Sequence, residues 1–129
     1  MQNKKPNIVF LMPDQLRYDF LSCYGAGFID TPNTDRIAGT GVRFSRAYSE
    51  HPLCVPARVA LMTGMHAADT GVIDNGQFLR ADYAECGISS WASLMSEAGY
   101  YTAAVGKMHF YPWDLRLGFQ YRVIAEDKR

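Results

Sequence analysis

An α/β fold with a mainly parallel sheet is what this 129-residue sequence predicts, on three observations. The run Ile8-Val9-Phe10-Leu11-Met12 is continuously apolar and partly β-branched, which suits a strand buried on both faces. Helical and strand-like patterns then alternate along the chain, as βαβ units require. Asp14, Cys54, Lys107 and His109 each follow a predicted strand, directly or after a loop. In open α/β sheets that carboxyl edge is where ligands bind.

The elements follow in order. Pro13-Asp14-Gln15 ends the first strand, and the residues alone read Asp14 as a turn or cap residue. Arg17 to Asp19 begin a short helical or irregular stretch, and Cys23 to Gly27 form a loop in which Cys23 packs. Thr31-Pro32-Asn33 starts a helix through about Ala38, because proline suits a first helical turn; Gly39 and Gly41 end it. Val42 to Tyr48 alternates apolar and polar residues and reads as a second strand, parallel to the first. Its following loop, Ser49 to Val55, then brings Cys54 to the edge that holds Asp14; His51 is a loop residue there. Asp74-Asn75-Gly76 is a turn. Ser89 or Ser90 caps a helix whose apolar positions Trp91, Leu94, Met95 and Ala98 recur at helical spacing, and Gly99 ends it. Tyr101 to Val105 is the third strand. Residues 110–129 have aromatic and loop character and close on the charged run Glu126-Asp127-Lys128-Arg129.

Thirteen basic and thirteen acidic residues cancel, so net charge points to neither a nucleic-acid nor a membrane partner. A hydrophobic share of 48% argues against disorder. Lys4 and Lys5 precede only five apolar residues, too few for a secretory signal or a membrane span. Three widely spaced cysteines, Cys23, Cys54 and Cys86, fit reduced thiols better than a disulfide framework. The expectation from both is a cytoplasmic protein. His66 and Cys86 have no partner at metal-ligand spacing.

Chemistry concentrates at Cys54-Val55-Pro56-Ala57-Arg58. Pro56 belongs in a first helical turn, Ala57 to Met62 continue the helix, and Gly64 stops it. Cys54 then stands at a helix N-terminus, where unpaired N–H groups and the macrodipole favour an anion. Arg58 lies four residues on, placed to neutralise negative charge. Spacing alone reads Cys54 equally as a reactive thiol or as a small hydrophobe beside a turn.

Cys-x-Pro-x-Arg followed by Leu61, Thr63 and Gly64 resembles the signature of the sulfatases, and Pro6 to Tyr24, Thr31 to Tyr48 and Gly99 to His109 agree with it. The resemblance implies the N-terminal part of an alkaline phosphatase-like fold. It implies that a formylglycine-generating or sulfatase-maturing enzyme oxidises Cys54 to formylglycine, whose hydrate supplies the nucleophilic oxygen. It makes Asp14 a ligand of a divalent metal, Ca²⁺ first, with Mg²⁺ or Mn²⁺ as alternatives. The oxygen made from Cys54 joins the metal, and Gln15, where many members have a second aspartate, adds an amide oxygen. Arg58 and Lys107 offset developing charge, Lys107 also holds the sulfate, and His109 moves a proton. Asn75 faces the substrate, a small-molecule or carbohydrate sulfate ester. Family members complete the metal shell with an Asp followed by Asn or His much further along, which nothing after His109 matches. The expectation is therefore a truncated N-terminal segment, residues 1–129, inactive alone, with weak metal binding and an exposed apolar edge. A phosphonate monoester or phosphodiester hydrolase of the same scaffold, or a non-catalytic fragment, is the alternative.

Overall fold

The computed structural model describes residues 5–125; Lys4 and the charged run at 126–129 lie outside them. The chain divides into two compact units, Met1–Ala47 and Tyr48–Arg129.

In the first unit, two short 3₁₀ turns, Tyr18–Phe20 and Ser22–Tyr24, precede helix α1, Pro32–Thr40. As the sequence predicts, proline occupies the first turn of α1; Gly41 ends it, its N–H donating to the Ile37 carbonyl. The Thr31 and Ser22 hydroxyls lie 2.7 Å apart, and each accepts a backbone N–H of the other residue. Tyr24 donates its hydroxyl to the Phe44 carbonyl, and the Arg43 guanidinium reaches the Cys23 carbonyl. No described residue of this unit is fully buried.

The second unit holds the core. Helix α2, Cys54–Thr63, buries Val55, Pro56, Arg58, Val59, Ala60 and Met62, and Gly64 ends it in the left-handed conformation at φ 69°. A single-turn helix α3, Ala67–Thr70, follows, and helix α4, Trp91–Glu97, packs against α2. Ser90 caps α4 by accepting the Ser93 N–H at 3.0 Å. Strand β1, Ala103–Gly106, pairs in parallel with strand β2, Tyr121–Ile124, with Ala103 opposite Tyr121. Val55, Val59, Met62, Val72, Leu79, Ala92, Ala104, Phe110, Leu117 and Phe119 form one apolar cluster.

Polar stitching holds the 107–120 crossover against this cluster. Ser90, fully buried, donates its hydroxyl to the Leu117 carbonyl at 2.6 Å, and Thr102 donates to the Gly118 carbonyl at 2.9 Å. Gly118 sits at φ 87° with Ser93 against it: a Cβ there would lie 2.3 Å from the Ser93 backbone nitrogen. Only glycine fits.

Three strand expectations change. Residues 8–12 and 42–48 form no ladder among the described residues, and the third strand runs 103–106 rather than 101–105. A strand requires a partner for its N–H and C=O groups, and the only described ladder joins β1 to β2. Ile8, Val9, Phe10 and Leu11 are instead 57–79% exposed, which corrects the reading of this run as a strand buried on both faces. The βαβ argument that set Asp14 and Cys54 on one edge therefore has no ladder beneath it. Strand β2 falls in a stretch read as lacking a further element.

Candidate active site

The candidate site is built on the first turn of α2. Cys54 is its first residue and is half-buried. The peptide before it is fixed through its carbonyl, because Leu53 O accepts the Ala57 N–H at 3.0 Å. The peptide after it is fixed through its N–H, which Val55 donates to Asn75 Oδ1 at 3.0 Å. Upstream, the Leu53 N–H donates to His51 Nδ1 at 3.2 Å, so His51 serves the loop, as its sequence position suggests. Pro56 removes one further donor that a first turn would leave unpaired.

Cys54 and Arg58 are four apart on α2 and share a face. Arg58 is only 7% exposed, an unusual place for a cation, and its Nη1 donates to the Lys107 carbonyl at 2.7 Å. That bond joins α2 to the loop leaving β1. Gly106 turns the loop at φ 111°, and His109 adopts φ 57°, in the left-handed region. Met108 packs on the apolar cluster and Phe110 enters it, so the backbone is anchored on both sides of His109. Lys107 and His109 are half-buried. The second unit thus connects Cys54, Asn75, Arg58 and the Lys107–His109 loop through two interlocking hydrogen bonds.

Asp14 and Gln15 belong to the first unit, where Gln15 adopts φ 57°. They offer a carboxylate and an amide oxygen, ligands that suit a hard cation. Ca²⁺ takes about 6–8 oxygens, however, and no group of three His, Cys, Asp or Glu side chains gathers as a metal site among the described residues.

Two arrangements were not legible from spacing. Asn75, read as facing a substrate, commits its oxygen to Val55. His66, left unassigned, has Nδ1 2.6 Å from a Glu50 carboxylate oxygen. That contact ties the loop before Cys54 to the start of α3; the hydrogen bond to Glu50 raises the imidazole pKa, assisted by its charge.

Comparison with known proteins agrees with this architecture. The Sulfatase family profile matches residues 6–127. N-acetylglucosamine-6-O-sulfatase of Bacteroides thetaiotaomicron is 38% identical over 84% of this chain and 18% of its own length. Choline-sulfatase of Rhizobium meliloti is 38% identical over 98% of this chain and 24% of its own. The chain thus spans about a fifth to a quarter of these relatives. A solved structure of an enzyme in complex with its substrate D-glucosamine-2-N,6-O-disulfate superposes with a TM-score of 0.82 at 36% identity, covering 92% of this chain and 23% of that one. The fold is α/β and alkaline phosphatase-like, as in these neighbours. No helix among the described residues is long and apolar enough to cross a membrane. The chain belongs to the sulfatase family.

Proposed function

We propose that this chain carries the nucleophile-bearing part of a sulfuric ester hydrolase, with Cys54 as the precursor of formylglycine. The observation that supports it best is the pinned first turn of α2. A nucleophile gains most when its backbone is held before the substrate arrives, and both peptides flanking Cys54 are fixed by hydrogen bonds.

In this reading a maturation enzyme, supplied with a two-electron oxidant such as dioxygen, converts the Cys54 CH₂–SH to an aldehyde. The C–S bond breaks, the sulfur leaves as sulfide and a C=O bond forms; water then adds to give a geminal diol. One diol oxygen attacks sulfur as the S–O bond to the alcohol breaks. The second hydroxyl then lets the sulfated adduct collapse to the aldehyde, releasing sulfate. Arg58 lies one turn along from the reacting carbon, and its guanidinium stabilises negative charge. Lys107 holds a sulfate oxygen, and His109 exchanges the proton that diol and leaving alcohol require. A divalent cation, Ca²⁺ before Mg²⁺ or Mn²⁺, would polarise the sulfate, with Asp14 and Gln15 as the oxygen donors assigned here. The relatives' named substrates support a sulfated sugar or another small sulfate ester as the substrate class.

The test is made on protein expressed with and without a sulfatase-maturing enzyme. Peptide mapping is expected to find the Cys54 thiol replaced by an aldehyde or its hydrate only with that enzyme. The protein carrying this site should then cleave an aryl sulfate faster than a phosphodiester or a phosphonate monoester. Only unmodified cysteine after maturation overturns the nucleophile; a faster phosphodiester or phosphonate rate overturns the substrate class.

A further inference from the structure

The geometry points to Asn75 as a positioning residue: its side-chain oxygen fixes the Cys54–Val55 peptide and so aims the side chain of residue 54. The inference rests on reading Cys54 as the nucleophile's precursor, and it gives Asn75 a role apart from any contact with substrate.

The turn that carries Asn75 is over-determined. Asp74 O accepts the Gln77 N–H at 3.1 Å, closing a β-turn with Asn75 at its second position. Asp74 Oδ1 accepts the Gly76 N–H at 2.8 Å. Gln77 Oε1 accepts the N–H groups of Ile73 and Asp74, at 2.7 and 3.1 Å. Val72 before the turn and Leu79 after it are anchored in the core. Asn75 is therefore presented by a rigid hairpin-like loop rather than by a flexible tip.

What it meets is a backbone donor twenty residues earlier. The donor is an N–H, so the atom facing it must be the amide oxygen, which settles which way the side chain points. A peptide group is planar, so holding the Val55 N–H also holds the Cys54 carbonyl and restricts ψ of Cys54. The Ala57-to-Leu53 bond restricts the peptide on the other side, and with it φ of Cys54. With both torsions set, the Cα–Cβ direction of residue 54 follows. An ordinary cap comes from the side chain of the residue just before a helix, but the Leu53 side chain has no oxygen to offer. Asn75 supplies from outside what the local sequence lacks.

The experiment uses the unprocessed thiol protein, so it reads the same whether or not Cys54 is converted and whatever ester the site cleaves. Two readouts are taken by NMR: hydrogen exchange of the Val55 N–H, and the Cys54 carbon shifts that report its backbone angles. In the native chain Val55 is expected to be protected. In Asn75→Ala its exchange should quicken about five- to tenfold, the usual loss for a missing cap, and the Cys54 shifts should move. Asn75→Asp keeps the acceptor and should restore both. An unprotected Val55 N–H in the native chain overturns the inference without any variant. So does a lowered Tm for Asn75→Ala with unmoved Cys54 shifts, or a failure of Asn75→Asp to restore them.

Discussion

The two units of this chain are comparably rich in apolar residues along parts of their length, yet they spend them differently. In Met1–Ala47, Ile8, Val9, Phe10, Leu11, Ile37 and Phe44 all face solvent, and the described structure is held by side-chain hydrogen bonds. In Tyr48–Arg129, α2, α4 and the 107–120 crossover bury a contiguous cluster, and the hydroxyls of Ser90 and Thr102 close its polar seams. Apolar sequence is a capacity for burial. Only where helices and strands present complementary faces does it become a core, and the proposed nucleophile stands on the buried helix.

Matched substitutions test that contrast. Gly118→Ala puts a Cβ against the Ser93 backbone at a left-handed residue, so two penalties add. A loss of about 3–5 kcal/mol is expected in chemical denaturation. Gly27→Ala meets nothing within 4 Å and should stay within about 0.5 kcal/mol. Equal effects would mean that the crossover does not press on α4.

Next in size is a leucine pair. Leu79 is 3% exposed within the apolar cluster, and Leu11 is 76% exposed. Leu79→Ala should cost about 2–4 kcal/mol and Leu11→Ala about 0.5 kcal/mol or less, read from urea midpoints at constant slope. A large loss at Leu11 would show that the first unit buries its apolar run against something.

The comparison also explains what could be read in the sequence. Helices α1, α2 and α4 announced themselves through Pro32, Pro56, Ser90, Gly41 and Gly64, because proline, glycine and cap residues act through local geometry. Cys54, Arg58, Lys107 and His109 stood out for another reason: a motif names residue types that the proposed reaction needs. Strands were less legible. Residues 8–12 have a strand's composition and no ladder, whereas Tyr121–Ile124 pairs with β1 despite its charged neighbours. Pairing depends on a partner distant in sequence. The same limit hid Asn75 on Val55 and Glu50 on His66, whose spacings of 20 and 16 follow no local period.

The smallest expected effect is a pH dependence confined to the second unit. His66 lies beside Glu50, whose hydrogen bond and then charge raise the imidazole pKa; Asp69 adds to this, and slight desolvation opposes it. A group with a raised folded pKa stabilises most when it is protonated in both states, below the unfolded value of about 6.5. That contribution is lost as pH climbs from there through the folded value. The pair is exposed, with side chains 74% and 40% accessible, so water and salt screen most of it. In the first unit the corresponding surface pair is Arg17 with Asp19, whose guanidinium keeps its charge throughout that window. NMR titration of His66 should therefore show a midpoint that falls in Glu50→Gln, and a small drop of Tm above neutrality that the variant lacks. High salt should shrink both. A midpoint unmoved by Glu50→Gln would mean that the contact is absent in solution and that His66 does not tie the loop before Cys54 to α3.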